Sequence, residues 1–283
     1  MISIRNPSTL DPVRRARCQR ALELGGILFF PESPIAVSSE DRKFLLTLDA
    51  SDSSFHKNIA YRPGENRLTG FSSKHPATAE RLKEVLSRYS EGSRRFLSEI
   101  FPSYGGAERD YASFRPIEEA GRPLALRSRN DLLHVDSFPT RPTRGGRILR
   151  VFANLNDREP RRWITGRERF GALAARYAAS SGILGRSGWR QLLLRRPRYD
   201  DFMLRFHHFL KENQEYQAAC PKVETSFPPG SGWMVFTDTV AHAVLSGRFA
   251  LEQTFIVPRS RLAVPERAPI SVLERMSGRA REA

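Results

Sequence analysis

From residue 111 onward the chain breaks into short apolar runs of strand length, and this texture limits the fold more than any other feature. The runs "YASFRPIE", "RPLALRSR", "LLHVDSF" and "GRILRVFANLN" come first, separated by Gly, Pro and polar turns. Residues 167–217 then return to helical spacing, including "YDDFMLRFHHFLKENQEYQ". Three closely spaced strands follow, "GSGWMVFTD", "AHAVLSG" and "ALEQTFIVP". Strands of this kind, divided by a helical insertion, predict an antiparallel jelly-roll core with helical decoration.

Upstream, residues 11–25 read as a short basic helix leading into "GILFF", a buried strand stopped by Pro31. Residues 40–50 and 77–101 carry apolar side chains at helical spacing, with Arg and Glu on the other face. Between them, "KNIAYRPGENRLTGF" reads as a loop with a short strand. The tail from 262 is charged and broken by Pro, with one short helix in "PISVLERM". No boundary between independent domains is visible. The expected organisation is a single α+β domain over 1–283, with a mainly β core at about 105–260. N-terminal helices, a helical insertion at about 167–217 and a tail over 262–283 complete it.

Of the 46 basic residues, 40 are Arg, and the net charge is +15. Such a charge favours nucleic acid, an anionic membrane surface or acidic substrates, although an Arg bias also follows from genome base composition. Zinc fingers, RNP-type strands and aromatic-interleaved basic motifs are absent, so no nucleic-acid partner is expected. The longest apolar stretches are far too short to cross a bilayer, and the first residues lack the apolar core of a secretion signal. A cytosolic location is therefore expected. Cys18 and Cys220 form no C-x-x-C, which argues against a disulfide framework or a zinc–cysteine site.

The run "LLHVDSF" holds an H-x-D. On a strand, residues two apart point to the same side. His134 and Asp136 would then offer an imidazole and a carboxylate to one metal, with Val135 facing the opposite layer. A facial triad needs one more His, and His242 fits, since it opens a strand after a Gly turn and another strand. The plain alternatives are a hydrogen-bonded surface pair and a packed strand histidine. His207 and His208 are adjacent on a helix and project in different directions, which makes them poor co-ligands. His56 and His75 lie in turn-rich segments and carry no signal. Asp238, four residues before His242, would be either a substitute ligand or a turn cap.

The long strings around these residues resemble the Kdo hydroxylases, where Kdo is 3-deoxy-D-manno-oct-2-ulosonic acid. The resemblance rests on "LLHVDSFPTRPTRGGRILRVFANLN" and "GWMVFTDTVAHAVLSGRFALEQTFIVP". It extends to "GILFFPESPI", "KNIAYRPGENRLTGF", "SFRPIE" and the helical string quoted above, over roughly residues 20–260. It implies a double-stranded β-helix and an Fe(II)- and 2-oxoglutarate-dependent dioxygenase, with O2 as second co-substrate. The implied reaction is hydroxylation of C3 of the outer Kdo sugar of Kdo2-lipid A, in the inner core of lipopolysaccharide. Carried onto this chain, the implied iron ligands are His134, Asp136 and His242.

The remote carboxylate of 2-oxoglutarate calls for a cation, preferably a bidentate Arg. Many dioxygenases place an R-x-S pair on the final strand. Here, aligning Thr254 with the serine puts Glu252 where the Arg should stand. Other oxygenases carry the anchor on the strand after H-x-D, which makes Arg150 the first choice and Arg127 and Arg248 the alternatives. Asn154 would share the face of Arg150 and bond to the co-substrate.

Arg141, Arg144 and Arg147 follow the expected ligands in a Pro- and Gly-rich loop, where they are candidates for acidic groups of the acceptor. With the family's acceptor anchored in the inner membrane, the basic charge predicts peripheral association with its anionic cytosolic face. Two rival readings are a dioxygenase of the same fold with another small-molecule or lipid acceptor, and a jelly-roll binding protein without iron chemistry.

Overall fold

A computed structural model describes residues 1–48, 53–119, 121, 123–181 and 198–282. Its centre is a pair of facing β-sheets. The larger is built from β1 (Ile2–Ser3), β2 (Leu28–Phe30), β3 (Ser53–Arg62), β4 (Arg67–Ser73), β5 (Glu108–Arg115), β6 (Arg147–Asn154), β9 (Gly232–Phe236) and β11 (Ala250–Val257). Their spatial order is β1-β2-β9-β6-β11-β5-β3-β4. The smaller sheet runs β10 (His242–Ser246), β7 (Arg161–Gly166), β8 (Lys222–Phe227). All pairings are antiparallel except that of β1 with β2. The jelly-roll core expected from the strand texture is therefore present.

Helices cover both outer faces. On the larger sheet lie α1 (Pro12–Glu23), α2 (Ser39–Leu46) and α3 (Pro76–Ile100). Asp11 caps α1 by accepting from Arg14 N at 2.8 Å, and Ser38 caps α2 by accepting from Asp41 N at 3.0 Å. The long α3 buries Leu82, Val85, Leu86, Tyr89, Phe96, Leu97 and Ile100, which recur at three- and four-residue intervals. That stripe packs on Phe114, Leu149, Val151 and Leu251 of the sheet. Against the smaller sheet lie α4 (Phe170–Ser181), α5 (Arg198–Glu212), α6 (Gln214–Ala219) and α7 (Pro269–Glu282). The expected helical insertion is thus the connection between β7 and β8; residues 182–197 of it lie outside the described residues.

Between the sheets, Phe152, Trp163, Phe227 and Trp233 form an aromatic core, with Phe227 and Trp233 stacked at 4.0 Å between ring centroids. It closes one end of the space between the sheets.

Several expectations change. "KNIAYRPGENRLTGF" is a long hairpin of β3 and β4, so the β-structure starts well before 105. Among its described residues, "RPLALRSR" holds a 3-10 turn at Leu126–Ser128 and no strand. "LLHVDSF" is irregular apart from a single bridge. The helix after 262 is longer than expected, spanning Pro269–Glu282.

Candidate metal centre

The H-x-D segment is fastened at two points. His134 and His242 exchange main-chain hydrogen bonds across an antiparallel bridge, N to O distances being 3.1 and 2.9 Å. Asp136 N donates to Thr237 O at 2.8 Å. Residues directly opposed in such a pair project to one face. The two imidazoles accordingly lie together, 4.7 Å between centroids. Asp136, two residues on, returns to that face: its Oδ1 is 3.7 Å from His134 Nε2 and its Oδ2 is 4.0 Å from His242 Nε2. All three side chains are buried, and one donor atom from each lies within 4.8 Å of the others.

The protonation pattern favours a cation. His134 Nδ1 lies 2.7 Å from Leu132 O, and His242 Nδ1 lies 2.9 Å from Val240 O. A carbonyl only accepts, so each Nδ1 carries the proton and each Nε2 keeps its lone pair. Burial holds both imidazoles below their ordinary range, which leaves them neutral. For Asp136, burial acts upward but is overcome chiefly by the charge of Arg150, with a hydrogen bond from Thr237, so its carboxyl is held well below the usual range. Two neutral nitrogens and one carboxylate on one side, with the other side open, suit a divalent iron-type ion.

The open side faces a cavity of about 120 Å³. Trp163 forms part of its wall and stacks on the His242 ring, 5.1 Å between centroids and inclined by 21°. Phe152 and Val244 supply further apolar wall, and Arg115, Arg150 and Arg161 enter it as cations.

Arg150, the first choice for the co-substrate, is already committed. Its Nε lies 2.9 Å from Asp136 Oδ2, and its Nη1 bonds Glu252. Arg115 donates to Glu252 at 2.8 Å and to Glu119 at 2.8 Å. Glu252 therefore bridges two guanidinium groups, whose charges overcome the upward push of burial and lower its carboxyl. Thr254, opposite Arg150 on β11, turns its hydroxyl to Glu252 at 3.4 Å.

Arg161 was not singled out in the sequence, and it is the exception among the three. It is fully buried and, among the described residues, has no carboxylate partner. Its Nη1 donates to Gly247 O at 2.8 Å, and its Nε has no hydrogen-bond partner. Burial first, then Arg115, pull its guanidinium down to about 10, so it remains charged at neutral pH. Gly247 adopts φ +115°, and a Cβ there would lie 2.8 Å from Arg161 Cα. Only glycine lets the β10–β11 turn settle on this arginine.

The other candidates are engaged elsewhere. Arg127 is exposed and pairs with Glu212 at 2.6 Å. Arg248 is exposed and donates to Pro116 O at 3.1 Å. The Asn154 amide donates to Phe227 O at 3.0 Å and its oxygen accepts from Asn156 N at 3.0 Å, so it braces a turn. Arg147 is fully buried against Asp238 at 2.8 Å and is closed to any acceptor; Asp238 is its counter-ion instead of a ligand. Arg141 borders a second cavity, and Arg144 is exposed in the turn beside it.

His207 takes up a supporting place: from α5 its Nδ1 reaches Val135 O at 2.7 Å, and its ring meets that of His134 edge-on at 5.1 Å. His208 is its neighbour on the helix and no ligand. His75 precedes α3 on the surface, and the side chain of His56 lies outside the described residues.

A two-sheet β-helix holding two histidines and one aspartate on one wall of a buried cavity defines the class of non-haem iron oxygenases. Residues 6–280 match the family model of 3-deoxy-D-manno-oct-2-ulosonic acid (Kdo) hydroxylase, and the chain belongs to that family. Among solved structures it is similar to the apo form of the Kdo hydroxylase KdoO, a non-haem Fe(II) α-ketoglutarate-dependent dioxygenase. The identity is 37%, with 97% of this chain and 95% of that one covered and a TM-score of 0.86. The complex of KdoO with α-ketoglutarate and Fe(III) matches at 36% identity over 97% and 95%, and the cobalt(II) complex at 37% over the same shares, both with a TM-score of 0.86. No curated protein matches the chain.

Proposed function

We propose that this chain is an Fe(II)- and 2-oxoglutarate-dependent hydroxylase of Kdo, with His134, Asp136 and His242 as the iron ligands. One observation carries the reading. The three donors converge on a cavity that also holds Arg161, a buried cation without a carboxylate partner among the described residues. A buried, unmatched charge is costly, and a carboxylate ligand removes that cost. Arg161, in place of Arg150, takes the remote carboxylate of 2-oxoglutarate; the keto-acid end faces the ligands.

When bound, the iron would activate O2, one oxygen atom of which goes to succinate as 2-oxoglutarate loses CO2 while the other is inserted into a C–H bond. The chain supplies position and charge. The Nδ1–H bonds to Leu132 and Val240 fix the ring orientations. Arg150 steadies Asp136, and Glu252 keeps Arg150 and Arg115 from competing for the co-substrate. Trp163, Phe152 and Val244 form the apolar wall of the space between.

The finer reading is hydroxylation at C3 of the outer Kdo of Kdo2-lipid A. In it the enzyme works at the cytosolic face of the inner membrane, attracted to the anionic leaflet by its net charge of +15. No helix of the described residues is long and apolar enough to cross a membrane. Arg141 and Arg144 remain the acceptor-facing cations of the basic loop. Asp200 of α5 holds that loop in place by accepting from Thr143 N at 2.6 Å and Arg144 N at 3.1 Å.

Anaerobic titration with Fe(II) and 2-oxoglutarate tests the metal centre: a visible charge-transfer band is expected, and its absence refutes the reading. Succinate formation stimulated by Kdo2-lipid A, but not by lipid A lacking Kdo, tests the acceptor.

A further inference from the structure

A second cavity, of about 280 Å³, opens beside the metal centre and is walled by β3, β5 and the basic loop. The two are linked through side chains. Arg150, which holds Asp136, lies 5.8 Å from the Phe138 ring, and Phe138 borders the second cavity. Further out, the Arg141 guanidinium stacks on Phe138 at 4.1 Å and on Tyr111 at 3.6 Å. Arg62 lies over the same Tyr111 at 4.9 Å.

The chemistry of this cavity is not that of a simple anion site. Arg141 is paired with Asp110 at 2.6 Å and Arg62 with Glu65 at 3.2 Å, so each cation is balanced by an acid. Both pairs keep unused capacity. Each Asp110 oxygen accepts from Arg141 and has a further lone pair, and each guanidinium has more N–H groups than its ion pair uses. Paired acids and guanidinium groups offer acceptors and donors side by side, and a vicinal diol uses both. The rings of Tyr111 and Phe138 hold these guanidinium groups face-on, which fixes the direction of their remaining N–H groups.

We propose that this cavity is a carbohydrate subsite that reads ring hydroxyls of the acceptor, with Asp110, Arg141 and Arg62 as the polar contacts and Tyr111 as the ring that holds the two guanidinium groups in place. The assignment rests on the reading of the chain as a sugar hydroxylase. It adds which residues hold the acceptor, and it makes recognition depend on hydroxyls beside the acceptor's acidic groups.

The test is calorimetric, on the full chain loaded anaerobically with Co(II) and 2-oxoglutarate, using a lipid-free Kdo disaccharide as the probe. Tyr111→Leu, which releases both guanidinium groups, and Asp110→Asn, which removes a charged acceptor, are each expected to weaken disaccharide binding roughly tenfold. Asp110→Asn disturbs a packed ion pair, so Arg62→Ala, at a part-exposed side chain, serves as the variant with least risk to folding. Unchanged disaccharide affinity in all three overturns the subsite. A wild-type chain that binds Co(II) and 2-oxoglutarate but not the disaccharide also overturns it, while leaving the metal-centre reading intact.

Discussion

His207 Nδ1 lies 2.7 Å from the carbonyl oxygen of Val135, the residue between His134 and Asp136. The segment is also bonded at His134 and Asp136, and Gln217 of α6 clamps Leu133 just before it, so this bond from α5 helps make the helical insertion a brace for the site. His207→Ala is expected to weaken Co(II) binding about tenfold, the usual scale for an outer-sphere partner. Calorimetry reads the loss, and His207→Asn, which restores a donor, should recover part of it. Full affinity in the alanine variant would reduce His207 to packing.

His134→Ala, Asp136→Ala and His242→Ala should each abolish iron retention and hydroxylation. Their stabilities should differ. Removing Asp136 leaves Arg150 with Glu252 alone, and breaking a buried pair costs on the order of 3–5 kcal/mol. Neutral His134 and His242 leave no such charge behind. Melting of the metal-free proteins should rank Asp136→Ala lowest; equal melting temperatures would contradict the ion-pair role.

Arg161→Ala should raise the 2-oxoglutarate requirement steeply, by about 2–5 kcal/mol for a lost buried charge partner. Lys should rescue only partly, since it offers a point charge in place of a fork. Arg150→Ala is expected to lower stability more than it changes the 2-oxoglutarate KM. The opposite ranking of the two arginines in steady-state kinetics would return the anchor to Arg150.

Glu252 sets a pH window. Its folded-state carboxyl lies below the ordinary 4.5, because Arg115 and Arg150 outweigh burial. A lowered carboxyl contributes stability that is fully present above its unfolded value and is lost as pH falls through the folded one. Glu252→Gln should therefore melt below wild type at neutral pH, with the gap closing as pH drops under 4.5. Thermal melts across pH check this, and a pH-independent gap would assign the effect to packing.

Co-sedimentation with vesicles should show binding to anionic but not neutral lipid, weakening from low to high salt as screening requires. Each basic residue held near the surface is worth roughly 1 kcal/mol. Salt-independent or absent binding would leave the Arg bias to genome composition.

The cluster of His134, Asp136 and His242 was legible because chemistry at period two survives in the residue order, even though "LLHVDSF" forms only a single bridge. Strands with a polar inner face were not. β3 borders both cavities, so Asn58 and Arg62 stand where an apolar alternation would have shown. β8 is an edge strand with mostly exposed side chains, and it gave no hydrophobic signal. Arg161 is one of 40 arginines, and only its alternation with Trp163 in "RRWITG" hints that it faces inward. The partners of Arg150 come from β11 and from the H-x-D segment, contacts that no local pattern carries.

The bridge between His134 and His242 joins residues far apart along the chain, so a metal held by both is a cross-link as well as a reagent. Folding meets the loop-closure entropy of bringing them together when the sheet forms. The ion then gains nothing from an unfolded chain and everything from a closed ring, which ties its occupancy to the folded population. Iron supply would thus govern how long the protein persists in the cell as well as how fast it turns over.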